Sequence, residues 1–506
     1  MVDALFAGLM IVLSWPTIAY MIVGVIIGLF LGVLPGIGGP VILALLLPFA
    51  FTMGKVEALT FLLSAHAVGV TGGSVTAILF GVPGTGTNAA TVLDGYPLAR
   101  KGEAGRAIGA ALAASAVGGV IGAFTLAALI PVLRPLVLSF SPAEFLMLSV
   151  MGLTFLTALS EGNSLKAAIS GLLGLLFSFV GEETIMGTKR FTFGQMYLWD
   201  GVKLVPAVVG LFAVAEMVAL LAEGGAIARN GSISWRGGPV SGILEVFKKW
   251  FLVLRCSIIG IVVGIVPGLG GDVACFLAYG HGAQTTREKE KFGEGNIDGV
   301  IAPESANNAK EGGALVPTIG FGIPGSAGMA VLLGALMMIG LTPGKELLQS
   351  NLDITFSLVW MVALANILAA LFMLIVTPSL AKLTVIDGSI LAPGVLVVAF
   401  IGAYLSSESL GDVLCALLIG MLGYGMKRYG YSRATFVLGL VLGKIVEQNL
   451  FLSLRIYEGP GFLISRRITF VLFVLCILIL LFPLFRRRFS PDGTNKNHSE
   501  GNDNLR

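Results

Sequence analysis

Long apolar stretches, separated by short polar connections, follow one another along almost the whole chain. Four of the longest carry no charged residue: Ala107–Leu133, Gly312–Gly344, Ile354–Ala381 and Ile468–Phe485. Each is long enough to cross the hydrocarbon core of a bilayer as a helix, which takes roughly 20 residues. Because lipid offers the backbone no hydrogen-bonding partner, such stretches are helical. The pattern therefore predicts an all-α integral membrane protein.

Shorter apolar stretches bring the expected number of membrane segments to about 10 to 13, several of them broken or re-entrant. The further segments include Trp15–Leu34, Pro40–Phe51, Ala58–Phe80, Ser164–Gly181, Val202–Leu221, Trp250–Val266, Ser389–Leu405, Val413–Met426 and Ala434–Val446. Another helix opens at Ser141, where Ser-Pro-Ala-Glu forms a capping box with proline in the first turn. Polar connections are expected at Pro83–Arg106 and Thr285–Glu304.

A hydrophilic connection, Ala222–Lys249, lies near the middle of the chain. It divides the chain into two membrane halves, residues 1–240 and 241–485. The polar tail, residues 486–506, is predicted to be disordered. Arg486–Arg488 directly follow the last apolar stretch. Since Lys and Arg are enriched on the cytoplasmic side of a membrane, the C-terminus is predicted to be cytoplasmic.

Composition supports the same class of protein. Hydrophobic residues make up 56% of the 506 residues and charged residues only 12%, and the mean hydropathy is +0.93. A soluble domain carries about 25% charged residues. The net charge of +3 comes without a basic patch, so no nucleic-acid partner is expected.

Motifs of catalysis and metal binding were sought along the chain. It contains neither HExxH nor G-x-S-x-G. Gly84–Ala89 has the spacing G-x-G-x-x-A, but not the strand–turn–helix context of a dinucleotide site. The four cysteines lie singly in apolar segments without metal-ligand spacing and are interpreted as buried thiols: Cys256, Cys275, Cys415 and Cys476. We therefore expect no enzyme activity, no metal and no cofactor.

Two glycine–proline motifs occur twice, in the same order in each half. Gly32–Gly39 recurs 232 residues later as Gly264–Gly271, and Phe80–Thr85 recurs 241 residues later as Phe321–Ser326. Two ordered matches at nearly equal offsets indicate an internal duplication. Proline removes a backbone donor and glycine permits left-handed conformations, so each Pro-Gly pair predicts the end of a helix inside an apolar tract.

Broken helices at matching positions of duplicated halves point to a transport site near the bilayer midplane. A helix that begins after a break directs free N–H groups and a positive dipole end into the cavity, which suits a carboxylate. The predicted substrate-binding residues are Gly36, Gly38, Gly84, Thr85, Thr87, Asn88, Gly268, Gly270, Gly325 and Ser326. For an isolated glycine, close helix packing is the alternative role.

Carbonyl groups and polar side chains beside the breaks suit a co-transported cation, Na⁺ or H⁺. The predicted ion-binding residues are Ser74, Thr76, Asn307 and Asn308. Three neighbouring features have a structural interpretation. Lys310 and Glu311 are expected to form a solvated pair at the membrane interface, His66 is expected to be a packing residue rather than a proton relay, and Asp94–Pro97 is expected to be a turn.

These residues together resemble the large membrane (permease) subunit of the tripartite tricarboxylate transporters. The similarity runs from about residue 5 to residue 485, and the run Ala302–Ala309 is its most specific part. The matching motifs are Gly32–Gly39, Gly72–Ser74, Pro83–Gly105, Gly264–Gly271, Ala302–Gly313 and Gly322–Gly344.

The resemblance implies a secondary transporter of the bacterial inner membrane that works with a small four-helix membrane subunit and a periplasmic solute-binding protein. The binding protein would deliver a carboxylate such as citrate, and a cation gradient, often of sodium, would drive uptake. Related carriers imply two inverted repeats and elevator-type movement. The expected function is secondary active uptake of a di- or tricarboxylate. A passive anion channel and, less favoured, a membrane-embedded enzyme are the alternatives.

Overall fold

A computed structural model describes residues 1–34, 36–158, 164–183, 187–223, 238–267, 269–286, 288–380 and 388–489. The helices of the first half are α1 Val2–Leu13, α2 Thr17–Val33, α3 Gly39–Ala50, α4 Lys55–Phe80, α5 Ala89–Arg100, α6 Ala104–Leu138, α7 Pro142–Ala158, α8 Ser164–Ser178, α9 Leu204–Val208, α10 Ala215–Glu223 and α11 Pro239–Lys248. Those of the second half are α12 Trp250–Ile265, α13 Gly270–Thr285, α14 Asp298–Phe321, α15 Ala327–Met338, α16 Leu352–Leu380, α17 Gly388–Leu405, α18 Leu410–Arg428, α19 Arg433–Ile456, α20 Phe462–Ser465 and α21 Arg467–Phe489.

The remaining regular structure is short. A π-helical stretch, Val209–Val214, joins α9 to α10, and single 3-10 turns lie at Gly86–Asn88, Met196–Leu198 and Lys289–Lys291. A two-residue hairpin pairs β1, Gly181–Glu182, with β2, Lys189–Arg190, in antiparallel register. Apart from this hairpin, all regular secondary structure of the described residues is helical, which confirms the all-α prediction.

Six helices of the described ranges are long and apolar enough to cross a membrane, and the pair α1–α2, bent by 71°, makes a seventh candidate. The six are Lys55–Phe80, Ala104–Leu138, Leu204–Ala222, Leu352–Thr377, Leu410–Arg428 and Arg433–Ile456. Shorter apolar helices of 10–17 residues accompany them. These helices make the protein a multi-pass membrane protein, and the total of 10 to 13 segments stays a prediction.

Two helices, α4 and α14, lie inside the protein rather than at its surface. Along α4 every residue from Ala58 to Leu79 is buried, and along α14 every residue from Asp298 to Gly320. α4 packs along α2 and α16, and α14 packs along α6, α12 and α13. Because no side of either helix faces lipid, both can carry polar side chains all round.

Glycines set the distance between α2 and α4 and between α12 and α14. A Cβ added at Gly28 would lie 2.4 Å from the carbonyl oxygen of Ala65, and one added at Gly260 would lie 2.4 Å from that of Ala306. Such distances are shorter than any real contact, so only glycine permits these approaches. α4 and α14 also end alike, at Gly81 and Gly322, each with φ of +69°. The two helix pairs therefore share both their packing and their ends.

The expected polar connections are shorter than the sequence suggests. Pro83–Arg106 is not a loop, because it contains a 3-10 turn and α5, and α6 already begins at Ala104. Between α13 and α14 only residues 286–297 connect the helices. The helices therefore take up most of the polar residues near the breaks.

The turn expected around Asp94 is wrong, because Asp94 lies inside α5. Its buried carboxylate accepts hydrogen bonds from the backbone N–H groups of Gly293, Gly295 and Asn296 at 3.0, 2.8 and 2.7 Å. The hydroxyl of Tyr279 donates to the same side chain at 2.9 Å. Local turn chemistry is overridden by these long-range bonds, which hold the α13–α14 connection against α5.

Two smaller expectations can be compared with the structure at helix ends. One of the two bonds of the capping box expected at Ser141 is present, since the Ser141 backbone N–H donates to Glu144 at 2.8 Å and α7 begins at the next residue. Residues 486–489, at the start of the predicted tail, are helical, because α21 continues to Phe489. Residues 490–506 lie outside the described ranges.

Candidate functional site

A cavity of about 600 Å³ lies where several helices begin. Its wall contains the N-terminal residues of α3, α13, α15 and α19 and the 3-10 turn that precedes α5. The lining residues from these starts are Gly38, Pro40, Val41, Thr85, Gly86, Gly270, Asp272, Ser326, Ala327, Ser432, Arg433 and Ala434. Gly36, Gly84, Phe212 and Glu216 complete this part of the wall.

The helix starts contribute a positive field to the cavity, whose wall also carries the carboxylates of Asp272 and Glu216 and the guanidinium of Arg433. α3 and α13 begin without a hydrogen bond from an N-cap side chain, and the first turn of α13 carries Asp272. Ser326 and Ser432 cap α15 and α19 by accepting from the third residue of each helix, at 3.2 and 3.3 Å. Each helix start carries roughly half a positive charge, and four of them converge here. An anion is the guest that this field favours.

Six of the ten predicted substrate-binding residues line this cavity: Gly36, Gly38, Gly84, Thr85, Gly270 and Ser326. Thr87, Asn88 and Gly325 are not part of its wall. Gly268 lies outside the described residues. The structure thus brings the first, second and fourth breaks, and the helix start after the third, to one place.

Thr87 and Asn88 support the wall from behind. Asn88 Oδ1 accepts from the backbone N–H and the hydroxyl of Thr85 at 3.2 and 2.8 Å, and the Thr87 hydroxyl contacts that of Thr85 at 2.7 Å. The Asn88 amide donates to Val70 O at 3.0 Å and to Ser74 Oγ at 2.9 Å. Asn88 is fully buried, so its role is to orient Thr85 toward the cavity.

Gly36 connects the first two breaks. Its backbone N–H donates to the carbonyl of Gly84 at 3.0 Å, and its φ is +84°. This left-handed conformation costs a residue with a β-carbon about 1–3 kcal/mol, and a β-branched residue is the worst case. The bond therefore depends on glycine at position 36.

Replacing Gly36 by valine is expected to lower anion uptake about tenfold or more, because the strain shifts the break away from its native form. Gly425→Val on α18 is the matched control, since Gly425 has helical φ and a Cβ there meets no atom within 4 Å. Initial uptake rates at equal membrane expression measure the effect. Equal rates for both variants would show that the Gly36 conformation is not needed.

Arg433 and Glu216 are wall residues that the sequence reasoning missed. Arg433 Nη1 lies 3.2 Å from Glu216 Oε2, and Lys427 Nζ lies 2.6 Å from Glu216 Oε1. One carboxylate thus has two cations, of which only Arg433 lines the cavity. The sequence did contain a signal for Arg433. A cation in the first turn of a helix is unfavourable with the helix dipole, so its presence there indicates a functional role. Arg433 occupies the first position of α19.

Glu304, on the inner helix α14, is a second residue that the sequence reasoning did not select. Its carboxylate is fully buried and accepts the hydroxyl hydrogens of Ser74, Thr91 and Ser115 at 2.8, 2.6 and 2.8 Å. These hydroxyls come from α4, α5 and α6. Ser74, predicted as an ion ligand, is therefore a donor to Glu304.

The other predicted ion ligands lie on α4 and α14. Thr76 donates to Gly73 O within its own helix at 2.9 Å. Asn308 donates to Thr71 Oγ1 at 2.9 Å and also to Asn366 Oδ1. The side-chain oxygens of Asn307 and Asn308 are buried and accept no hydrogen bond within the described residues. Among the four predicted ion ligands, these two asparagines therefore have amide oxygens that could coordinate a cation.

The expected interfacial position of Lys310 and Glu311 is wrong. Both side chains are buried inside the protein, where they form an ion pair with each other. His66 is buried beside them, with Nε2 at 3.2 Å from Glu311 Oε2. The sequence places the pair next to an apolar span, but α14 is enclosed on all sides and carries it inward. We name these three residues the buried triad.

The described residues contain no group of three or more His, Cys, Asp and Glu side chains that could hold a metal ion. Cys256, Cys275 and Cys476 are buried free thiols, and Cys415 is partly buried. The three buried thiols match the interpretation given above, and Cys415 departs from it only in its partial exposure.

Comparison with known proteins shows similarity over almost the full chain. A model of the tripartite tricarboxylate transporter TctA family matches residues 18–438. An uncharacterized 52.8 kDa protein in the TAR-I ttuC' 3'region of Agrobacterium vitis is 34% identical over 485 residues, which cover 93% of this chain and 94% of that protein. An uncharacterized protein in the TAR-II ttuC' 3'region of the same organism is 30% identical over 233 residues, or 45% of this chain and 96% of its own. No solved structure matches the chain.

Proposed function

We propose that this chain, which belongs to the tripartite tricarboxylate transporter TctA family, takes up a small organic anion by secondary active transport. The family is one of transporters, not enzymes, and the chain is its multi-pass membrane subunit. The proposed substrate is a di- or tricarboxylate such as citrate, and the proposed location is the bacterial inner membrane with the C-terminus in the cytoplasm.

The convergence of four helix starts on one cavity is the observation that carries the proposal. A volume of about 600 Å³ lies within the 300–1,000 Å³ that small-molecule sites occupy. Backbone N–H groups at the starts of α3 and α13 and the hydroxyl of Ser326 can hold carboxylate oxygens, whereas the Thr85 hydroxyl already donates to Asn88 at 2.8 Å.

Arg433 supplies the directional contact. A guanidinium binds a carboxylate through two parallel hydrogen bonds, and these charge-assisted bonds are the stronger kind. When the substrate takes Arg433, Glu216 keeps Lys427 as its partner, so no charge is left without a counter-ion. The substrate carboxylate thus replaces Glu216 on Arg433.

A cation gradient is the proposed driving force. The unpaired oxygens of Asn307 and Asn308 are buried on α14, and amide oxygens suit hard cations such as Na⁺. Ser74 and Thr76 lie on α4 close to its C-terminal end and are proposed to join through their hydroxyl oxygens, whose hydrogens are donated to Glu304 and to Gly73 O. The proposed co-transported ion is Na⁺ or H⁺.

Alternating access is proposed to use the two halves, residues 1–240 and 241–485, as inverted repeats in an elevator-type movement. The matching glycine contacts of α2 with α4 and of α12 with α14 support a structural repeat. The left-handed ends at Gly81 and Gly322 support it as well. A small four-helix membrane subunit and a periplasmic solute-binding protein that delivers the acid are the proposed partners.

The test is uptake of labelled citrate, succinate and tartrate into proteoliposomes that contain the chain and its two partner subunits. We expect accumulation of at least one acid only when the binding protein and an inward cation gradient are both present. Equilibration without a gradient and without the binding protein would favour a passive anion channel. No flux of any of these acids would contradict the proposed substrate class.

Asn307→Ala is expected to raise the cation concentration needed for half-maximal uptake about tenfold, because one amide oxygen is lost from the ion site. The Asn307 amide makes no aligned hydrogen bond within the described residues, although it faces the carboxylate of Glu304, so thermal stability is measured beside transport. Asn449→Ala is the matched control, because the Asn449 amide bonds only its own helix, to Ile445 O at 2.8 Å. An unchanged cation dependence in Asn307→Ala would remove Asn307 from the ion site.

A further inference from the structure

His66 lies in the protein interior directly behind the cavity wall, where its ring packs against two glycines. A Cβ added at Gly39 would lie 2.5 Å from His66 Cε1, and one added at Gly328 would lie 2.1 Å from the same atom. Gly39 is the first residue of α3 and Gly328 the second of α15. Their neighbours Gly38 and Ala327 line the cavity. Only glycine backbone therefore separates the imidazole from two of the helix starts that would hold an anion.

The rest of the buried triad is in contact with a third helix start. A Cβ added at Gly271, the second residue of α13, would lie 2.2 Å from Lys310 Cε. Lys310 pairs with Glu311, and Glu311 Oε2 lies 3.2 Å from His66 Nε2. The triad is thus connected to three of the four helix starts that line the cavity.

The imidazole is buried and has one polar neighbour among the described residues, Glu311, whose Oε2 lies 3.2 Å from Nε2 without an aligned hydrogen bond. Nδ1 has no hydrogen-bond partner within the described residues. Buried polar groups are normally paired, so a histidine that faces a buried carboxylate with one nitrogen unpaired points to a function in a transport protein.

Few ionisable groups face the ring. On α14 they are Glu311 and, beyond it, Lys310. α3 and α15 contain no titratable residue, whereas the first turn of α13 carries Asp272, which lies in the cavity wall and interacts electrostatically with Lys310. The other helices that pack on α4 also carry titratable residues, but none of these makes a hydrogen bond or ion pair with the imidazole within the described residues. They include Tyr20 of α2, Asp94 of α5, Arg106 of α6 and Asp353 of α16.

The charged groups beside His66 lie directly behind the helix starts of the cavity. With Lys310 and Glu311 charged, the triad is neutral when His66 is neutral and carries one positive charge when His66 is protonated. The starts of α3 and α15 are positive and oppose that extra charge while the cavity is empty. A di- or trianion in the cavity offsets their field, so the anion and the proton favour each other.

We infer that the anion and a proton bind as a linked pair, with His66 taking up a proton from water when an anion enters the cavity. This inference rests on the proposed function and names the coupling ion, or one of them, as H⁺. The proton leaves His66 for water on the opposite side once the anion has gone, since the linkage is reciprocal. The Glu311 carboxylate is the counter-ion of the imidazolium while His66 is protonated.

The test is isothermal titration of the purified full-length chain with citrate, succinate and tartrate at about pH 8, where solvated imidazole is neutral. Parallel titrations in HEPES and Tris, whose ionisation enthalpies differ, give the number of protons taken up per anion bound. We expect about one proton for the wild type and for His281→Gln, and about none for His66→Gln. His281 is the matched control, because it lies on α13 outside the cavity wall.

The affinity itself gives a second readout. Between about pH 6 and about pH 8 we expect a roughly tenfold loss of affinity in the wild type beyond any change seen in His66→Gln. The substrate acids themselves also titrate in this pH range. Because this affects wild type and His66→Gln equally, the difference between the two proteins is free of it. His66→Asn is measured as well, so that a folding defect of one variant does not decide the result.

Each outcome has a distinct meaning. Anion binding by the wild type without proton uptake overturns the inference and leaves the proposed function intact. Equal proton uptake by wild type and both His66 variants overturns the assignment to His66. If none of the three acids binds, the proposed substrate class fails, and the inference fails with it.

Discussion

Replacing Arg433 by glutamine is expected to lower the affinity for the transported anion about 100-fold, because a charge-assisted contact worth roughly 1.5–3 kcal/mol is lost. Arg433 is the cation of the described cavity wall, where it pairs with Glu216 at 3.2 Å. The helix starts remain in the variant, so some binding should persist. Half-saturation of uptake in proteoliposomes, with the binding protein in excess, measures the effect.

Lys427→Gln is the matched control for Arg433. Lys427 pairs with the same carboxylate, at 2.6 Å from Glu216, but does not line the cavity. Its loss should change half-saturation by no more than about threefold, as expected for a partly exposed ion pair. If both variants lose affinity equally, Arg433 acts only through Glu216 and not on the anion.

Lys310→Met is expected to lower the free energy of unfolding by about 3–5 kcal/mol, the cost of leaving a buried carboxylate without its partner. Lys310 and Glu311 are both buried and pair with each other inside α14. The double variant Lys310→Met/Glu311→Gln should recover most of this loss, because the uncompensated charge is removed. Thermal denaturation in detergent, followed by the fraction that stays monodisperse, measures the order of the three proteins.

Lys291→Met provides the matched control for this stability effect. Lys291 pairs with Glu288 at 3.1 Å, but both side chains are more than 60% exposed. Exposed pairs contribute about 0–1 kcal/mol, so the variant should denature close to the wild type. Wild-type stability in Lys310→Met would show that the triad is hydrated or uncharged, and would weaken the linkage inferred for His66.

The affinity loss expected at Arg433 and the stability loss expected at Lys310 concern two different parts of the candidate site. Arg433 faces the cavity, and the buried triad lies behind the glycines that start α3, α13 and α15. A loss at Arg433 should therefore reduce affinity without reducing stability, whereas a loss at Lys310 should reduce stability. Observing this separation would support a site in which binding and coupling groups are kept apart by backbone.

Much of the candidate site was predictable from the sequence, since its elements are local signals. A Pro-Gly break inside an apolar tract depends only on the residues at that point. Gly36, Gly84, Gly270 and Ser326 were selected on this ground, and they line one cavity. The repeat of both motifs is also a property of the sequence, although its structural meaning stays a proposal.

Other predictions failed where a local pattern met a long-range contact. Asp94-Gly-Tyr-Pro has the composition of a turn, yet it is helical because Asp94 bonds a loop about 200 residues later in the chain. Lys310 and Glu311 carry the composition of an interface, yet α14 is enclosed by other helices. Glu304 was not selected because its three hydroxyl donors come from three separate helices.

The sequence alone determined the membrane class, the helical backbone and the points where helices end, because each depends on the residues of one segment and on the absence of water in lipid. Only the tertiary structure decided which polar residues are enclosed and which meet. α4 and α14 are buried on every side, so their polar residues show no amphipathic period that would reveal partners. The meeting of His66 with Glu311, and of Arg433 with the cavity, follows from helix packing across more than 200 residues.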